Sequence, residues 1–356
     1  MLSESAIVLA NGMYRTCFAK TAHGLVRGPS RYRVLGVVDP ESAGEDAGML
    51  LDGRARDIPI RATLREHLDA GNRPTHCVLG VATEGGLLPP TLRADLVEAA
   101  REGLTLVNGL HQLLSDDAEL ARLTSAAGGE IIDLRRPRPV AELSFWTGEI
   151  LSLETPRVVV LGTDCALGKR TTCTLLRDAL CQRGTKAEMV YTGQTGWLQG
   201  FEHGFLFDAT PNDFVSGELE RVVLECARAL KPDVILLEGQ SALRNPSGPA
   251  GSEFILSAGA RGVILQHAPA RRWHAGFESL RCEIRPLEEE LELIRLLGAE
   301  VWAVTLNETG TSASEAERVR ADLERQLGVP VVAPLRHGVE RLAEQVIDRL
   351  AGKTLR

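Results

Sequence analysis

The strongest constraint on the fold comes from one segment near the middle of the chain, where an apolar strand, a glycine-containing loop and a helical pattern follow one another directly. The run Arg157–Gly162 reads as a buried strand, and Gly168 and Lys169 lie just before an amphipathic stretch. Glycines let backbone N–H groups converge on an anion, and the start of a helix adds partial positive charge. Lys169 would reach the phosphates as a point charge. The segment therefore predicts a phosphate-binding loop.

The spacing of this loop departs from the common form. Five residues rather than four separate Gly162 from Gly168, and Arg170 lies between Lys169 and Thr171. The hydroxyl of Thr171 or Thr172 is suited to ligating Mg²⁺ if the ligand is a nucleoside triphosphate. We predict that the following residues bind the cofactor: Gly162, Thr163, Asp164, Cys165, Ala166, Leu167, Gly168, Lys169, Arg170, Thr171 and Thr172.

Strand-like and helical patterns alternate along the whole chain, which is typical of parallel βαβ units. The predicted strands are 6–10, 32–38, 76–81, 104–108, 130–133, 157–162, 187–192, 234–238, 262–266, 301–306 and 329–333. The predicted helices are 19–26, 64–70, 92–102, 118–127, 170–183, 212–230, 288–297 and 314–327. We therefore expect an α/β protein with two domains, residues 1–150 and residues 151–356.

The first half lacks a G-x-G-x-x-G fingerprint, so a dinucleotide site there has weak support. Asp39 ends the second predicted strand, where a ribose-binding acid would lie. A polar residue at the end of the strand, before Pro40, is the favoured interpretation.

Composition excludes several classes of function. The net charge of −8 argues against general nucleic-acid binding, which needs clustered Lys and Arg. No apolar run is long enough to span a membrane, and the N-terminus lacks the pattern of a signal peptide. The seven cysteines are scattered without a C-x-x-C pair, which favours reduced thiols. We expect a cytoplasmic protein, a homo-oligomer, that acts on a small molecule.

Further candidates follow other predicted strands, where ligands collect in open α/β sheets. Glu238 ends the apolar run Val234–Glu238 and could bind a metal or act as a base. His267, followed by Arg271 and Arg272, suits recognition of a carboxylate or phosphate. The predicted catalytic residues are Glu238, His267 and Lys169, and the predicted substrate-binding residues are Gln194, Thr195, Gln240, Arg271, Arg272 and His111.

Several motifs together resemble one known family over nearly the whole chain. They are GTDCALGKRTT at 162–172, TGQTG at 192–196, DFVSG at 213–217 and EGQ at 238–240, with AKTAHGL at 19–25 and NGLHQLLSDD at 108–117 in the first half. The chain resembles the former domain-of-unknown-function family now represented by D-glutamate (D-amino-acid) N-acetyltransferase. The loop is also similar to that of dethiobiotin synthetase, an ATP-dependent ligase. Ser241 and Asn245 depart from the family pattern, which typically has Gly and His there.

The resemblance implies an N-terminal Rossmann-like domain, residues 1–150, and a C-terminal domain like the P-loop NTPases, residues 151–356. It also implies transfer of an acetyl group from acetyl-CoA to the amine of an amino acid, often of D configuration. The loop would then hold the diphosphate of CoA, and Glu238 or His267 would remove a proton from the amine. An ATP-dependent ligase or kinase remains the alternative. In that case Thr171 and Glu238 would organise Mg²⁺ around the phosphates. Taken without the resemblance, the residues fit the second reaction at least as well as the first.

Overall fold

A computed structural model describes residues 4–352, which form two compact units. The first comprises Met1–Arg138 together with Gln194–Phe201, and the second comprises Pro139–Gly193 and Glu202–Arg356. The predicted domain boundary at residue 150 thus lies inside the second unit.

The first unit is built on a parallel sheet in the order β3-β2-β1-β4-β5-β6. The strands are β1 Ser5–Leu9, β2 Arg33–Val38, β3 Ile60–Arg61, β4 His76–Leu79, β5 Thr105–Asn108 and β6 Ile131–Asp133. All five residues of β1 are buried, as expected for a central strand of a parallel sheet covered on both faces. This strand order is that of a Rossmann-like domain.

The helices that accompany this sheet bury one face each. They are α1 Lys20–Arg27, α2 Ala47–Asp52, α3 Leu64–Asp69, α4 Pro90–Arg101 and α5 Ala118–Ala126. On α4, Leu92, Leu96, Ala99 and Ala100 are fully buried at helical spacing. The helix α7 Gln194–Leu198 also belongs to this unit, although it follows a strand of the second one.

The second unit has a parallel sheet in the order β12-β11-β10-β7-β9-β8. The strands are β7 Arg157–Gly162, β8 Ala187–Val190, β9 Val234–Glu238, β10 Gly262–His267, β11 Glu300–Leu306 and β12 Val331–Val332. The order in which strands are added switches sides at β7, because β8 and β9 lie on one side of it and β10, β11 and β12 on the other. Ligands of open α/β sheets bind outside the carboxyl ends of the strands at such a point.

The helices of the second unit are α6 Lys169–Gln182, α8 Asn212–Leu230, α9 Ser252–Leu256, α10 Leu287–Leu296, α11 Ala313–Leu327, α12 Pro334–His337 and α13 Glu340–Leu350. The sequence prediction of two parallel-sheet α/β domains is confirmed. The elements absent from the sequence prediction are β3, α2, α7, α9, α12 and α13. Most of these are short, and α7 contains a glycine that weakens a helical pattern.

Candidate functional site

The phosphate loop connects β7 to α6 at the carboxyl edge of the second sheet. Ala166 and Gly168 both have left-handed backbone conformations, with φ of 51° and 103°. Alternation of such residues with ordinary ones turns successive N–H groups toward a common centre, which favours anion binding. Gly168 also lies at the N-cap of α6, so the helix dipole adds to the positive potential.

Lys169 is the first residue of α6, and only 8% of its surface is exposed. Its ammonium donates to the backbone oxygens of Asp164 and Ser241, at 2.8 Å each. A Cβ at position 162 would lie 3.2 Å from Cδ of Lys169, so Gly162 leaves the space that the lysine stem occupies. The ammonium is therefore held against the loop, close to the anion-binding backbone.

The buried carboxylate of Asp164 fixes the loop to two distant segments. One oxygen accepts hydrogen bonds from Arg271 Nη1 at 2.8 Å and from the backbone N–H of Ala275 at 2.9 Å. The other accepts from Asn245 Nδ2 at 3.0 Å and lies 3.2 Å from His274 Nδ1. Burial opposes ionisation, but the hydrogen bonds outweigh it and hold the pKa of Asp164 below its ordinary value.

His267 ends β10 beside the loop. Its Nδ1 lies 3.0 Å from the hydroxyl of Thr163. Burial, with the nearby charge of Arg271, lowers the pKa of His267 to about 4. The imidazole is therefore neutral at physiological pH, with one nitrogen engaged by Thr163.

Glu238 ends β9 and is 7% exposed. One carboxylate oxygen accepts the backbone N–H of Thr192 at 3.1 Å, and the other lies 3.9 Å from Nε of Arg170. The hydroxyl of Thr192 donates to the backbone oxygen of Glu238 and accepts from Gln240 Nε2 at 3.0 Å. These contacts connect Thr192, the first residue of the TGQTG motif, to the EGQ motif. They also connect the EGQ motif to α6, the helix that follows the phosphate loop.

A layer of amides and hydroxyls supports the loop from the sheet. Gln266 Oε1 accepts the hydroxyls of Thr172 at 2.6 Å and Thr305 at 2.7 Å. Asn307 Nδ2 donates to the backbone oxygen of Leu167. The Thr172 hydroxyl therefore points to the sheet, and Asn307 holds the backbone of the loop at Leu167.

The two predicted arginines differ in their surroundings. Arg271 donates from one nitrogen to both Asp164 and the backbone oxygen of Cys165, so its contacts are those of a structural clamp. The side chain of Arg272 is 70% exposed, pairs with Glu283 and stacks on Trp273. Neither arrangement resembles a preformed binding site for a carboxylate ligand. Four residues that were not predicted as site residues also contribute to the site: Asn245, Gln266, His274 and Ala275.

Three predicted substrate-binding residues, His111, Gln194 and Thr195, belong to the first unit. Gln194 Oε1 accepts from Arg135 at 3.0 Å, and the hydroxyls of Thr195 and Thr21 lie 3.0 Å apart. His111 packs where a Cβ at Gly86 would lie. In the same unit, Asp39 is fully buried, and its Oδ2 accepts the backbone N–H of Tyr14 at 2.9 Å.

Within the part of the chain that the structure describes, no cluster of three or more His, Cys, Asp or Glu side chains could hold a metal ion. Among the same residues, no helix has the length and apolar character needed to cross a membrane.

Two family models match the chain, both described as domains of unknown function. The P-loop domain of DUF1611 matches residues 144–343, and its N-terminal Rossmann-like domain matches residues 40–137. The chain belongs to the DUF1611 family. The resemblance seen in the sequence is thereby confirmed, as is the pairing of a Rossmann-like with a P-loop domain.

Three known proteins are similar to this chain over most of their length. A DUF1611 protein from Anabaena variabilis, known from a crystal structure, is 27% identical with a TM-score of 0.87, covering 97% of this chain and 100% of that one. A protein from Tritonibacter scottomollicae named D-glutamate N-acetyltransferase is 30% identical over 294 residues, 79% of this chain and 83% of its own. A protein of the same name from a Pseudoalteromonas species is 29% identical over 279 residues, 74% of this chain and 79% of its own.

Proposed function

We propose that this DUF1611 protein transfers the acetyl group of acetyl-CoA to the amine of an amino acid, with D-glutamate as the first substrate to test. The observation that carries the proposal is the similarity, over 79% of the chain, to a relative named D-glutamate N-acetyltransferase. The phosphate loop supports it, because its converging backbone and Lys169 suit the diphosphate of CoA as well as a nucleotide.

The reaction needs a free amine and a stabilised oxyanion. The amine attacks the thioester carbonyl, the C–N bond forms, and the C–S bond breaks to release CoA. The amine must lose a proton on the way. When Nδ1–H of His267 donates to Thr163, the other imidazole nitrogen carries a lone pair that can accept this proton. Glu238 is the second candidate for this role.

Substitutions of the two residues separate these candidates. A base whose pKa is about 4 is weak at pH 7, and it would give activity that stays constant down to acidic pH. Replacement of His267 by Asn keeps a polar group beside Thr163 but removes the ring base. If His267 accepts the proton, kcat should fall far more than CoA affinity; if Glu238 accepts it, Glu238→Gln should show that pattern instead.

Mass spectrometry of reactions with the purified protein tests the function itself. D-glutamate, L-glutamate and other amino acids are supplied separately with acetyl-CoA, and then with ATP and Mg²⁺. We expect an N-acetyl amino acid and an equal amount of free CoA, formed without ATP. Formation of ADP that depends on the amino acid, with no acetylated product, would instead support the ligase or kinase alternative.

A further inference from the structure

The side chains of Thr163 and His267 meet at the carboxyl edge of the second sheet, one residue beyond the last residue pair that joins β7 to β10. That pair is Gly162 with Gln266, and the backbone N–H of Thr163 donates to the backbone oxygen of Gln266 at 3.0 Å. The backbone oxygen of His267 accepts the N–H of Asn307 at 2.7 Å. Because both backbones are fixed in this way, the register of the sheet sets the contact of 3.0 Å between the Thr163 hydroxyl and Nδ1 of His267.

This contact can form in two ways, because a neutral imidazole carries one proton. Either Nδ1–H donates to the hydroxyl oxygen, or the hydroxyl donates to Nδ1 and the ring proton lies on Nε2. The imidazole is neutral at physiological pH, since burial and the charge of Arg271 lower the pKa of His267 to about 4. Two neutral tautomers therefore compete, and they place opposite groups at Nε2, a lone pair in the first and an N–H donor in the second.

The hydroxyl proton of Thr163 decides between the two tautomers. Thr163 is 1% exposed, and within residues 4–352 its hydroxyl has Nδ1 of His267 as its one hydrogen-bonding partner. If Nδ1–H donated, the hydroxyl proton would be buried without an acceptor. Such a buried donor is costly enough to favour the other tautomer by about fivefold or more. The hydroxyl therefore donates to Nδ1, and the ring proton lies on Nε2.

The Nε2–H group of His267 lies in surroundings that favour negative charge. His267 is partly exposed, and Nε2 has no hydrogen-bonding partner among the residues that the structure describes. Its neighbour Thr163 is the first residue after β7, so the ring lies beside the loop whose backbone N–H groups converge. A neutral N–H at such a place stabilises charge on a ligand oxygen, as the donors of an oxyanion hole do.

We propose that His267 donates a hydrogen bond through Nε2–H to an anionic oxygen of the ligand, and that Thr163 is the positioning residue that holds it in this tautomer. The proposal deepens the proposed function and rests on it in taking acetyl-CoA as the ligand. The oxygen is then the thioester carbonyl, on which charge develops when the amine attacks, or a phosphate oxygen of CoA. Removal of the proton from the amine falls to another group, for which Glu238 is the candidate.

Proton–nitrogen correlation NMR of the free, isotope-labelled wild-type protein tests the tautomer directly. These spectra distinguish a ring nitrogen that carries a proton from one that does not, and the signals of His267 are those missing in His267→Gln. At neutral pH we expect the Nε2–H tautomer in about fivefold excess or more. A proton mainly on Nδ1 would overturn the proposal. The measurement needs neither substrate nor activity, so it is independent of acetyl transfer.

The variant Thr163→Val tests the positioning role, because it removes the hydroxyl and keeps the branched shape. We expect the excess of the Nε2–H tautomer to shrink by about fivefold or more, since Nδ1 loses its donor. The matched control is Thr124→Val in the first unit, an equally buried threonine whose hydroxyl donates to the backbone oxygen of Leu120. The control should leave the ring signals of His267 unchanged. An unchanged excess in Thr163→Val would contradict the role of Thr163.

Replacement of His267 by Gln and by Asn separates a donor from a base, which the Asn variant alone does not. The amide NH₂ of Gln reaches about as far as Nε2, whereas that of the shorter Asn reaches only as far as Nδ1. If Nε2–H donates, His267→Gln should keep at least about tenfold more activity than His267→Asn. If the ring accepts the proton of the amine, neither amide replaces it, and equal losses in the two variants would overturn the donor role.

Isothermal titration of CoA into the same two variants identifies the oxygen. Weaker CoA binding by His267→Asn than by His267→Gln supports a phosphate oxygen. Equal affinities with a lower kcat in His267→Asn support the thioester carbonyl, and equality in both quantities overturns the donor role. If no amino acid is acetylated but the proton lies on Nε2 and CoA binding differs, the acetyltransferase proposal fails and the donor stands. If acetylation occurs but the proton lies on Nδ1, the reverse holds.

Discussion

Replacement of Asp164 by Asn should destabilise the second unit strongly, although the two side chains have nearly the same shape. The carboxylate accepts from donors on both oxygens: Arg271 and Ala275 on one, and Asn245 and His274 on the other. An amide keeps one acceptor oxygen and turns an NH₂ group toward the other donors. It also leaves Arg271 without its carboxylate partner.

The size of the effect follows from the burial of the pair. Removing one partner of a fully buried ion pair costs about 3–5 kcal/mol. Asp164 is fully buried but the side chain of Arg271 is 24% exposed, so water compensates part of the loss. We therefore expect the free energy of unfolding to fall by about 2–4 kcal/mol. For a unit of this size that corresponds to a decrease in Tm on the order of 10 °C.

Thermal and guanidinium unfolding followed by circular dichroism measure this effect at pH 7. Asp178→Asn is the matched control, because its carboxylate is 44% exposed and the change should stay within about 0.5 kcal/mol. The pKa of Asp164 is depressed in the folded state, so its contribution is present above the unfolded pKa of about 3.9 and is lost as pH falls through the folded value. The difference between wild type and variant should therefore shrink only below about pH 4. A loss under about 1 kcal/mol at pH 7, or one equally large at pH 3, would refute the reasoning.

Three further predictions concern the loop and its supports. Lys169→Ala should weaken CoA binding by about tenfold or more in isothermal titration, since it removes a charged donor, and unchanged affinity would contradict the loop assignment. The imidazole NMR signals of His267 should titrate near pH 4 rather than near 6.5. The unfolded state takes up a proton on this imidazole at a higher pH than the folded state does. The free energy of unfolding should therefore fall as the pH is lowered from 6.5 to about 4, and it should fall less in His267→Gln. Gly217→Ala should cost about 1–3 kcal/mol of stability, because its Cβ would lie 2.0 Å from the backbone oxygen of Ser144. Gly248→Ala, with its nearest atom at 3.9 Å, is the control, and equal losses in the two variants would contradict the packing argument.

The phosphate loop could be predicted from the sequence because all of its determinants are local. A strand, a glycine turn, a lysine and a helix follow one another without interruption, and each has its own residue pattern. The long helices and buried strands were predictable for the same reason. The helix α13 was missed, although Leu342 and Val346 lie four residues apart on its buried face.

The partners of the loop could not be predicted, because they come from far along the chain. Asn245, Arg271 and His274 reach Asp164 from segments separated from it by roughly 80 to 110 positions, and those segments are irregular loops without periodicity. A guanidinium near a strand end suits an anion, which is why the sequence predicts Arg271 as a substrate-binding residue. Its pairing with the carboxylate of Asp164 is visible only in the structure.

The placement of Gln194–Phe201 in the first unit has a consequence for dissecting the protein. Within that segment Gln199 donates to the backbone oxygens of Gly24 and Gly28, and Leu198 is fully buried in the first core. A cut after Arg138 would give a first fragment that lacks this segment. The second fragment would carry the segment without the core against which it packs. The two halves are therefore not separable genetic modules, and exchange of domains between relatives would have to carry this segment along with the half it serves.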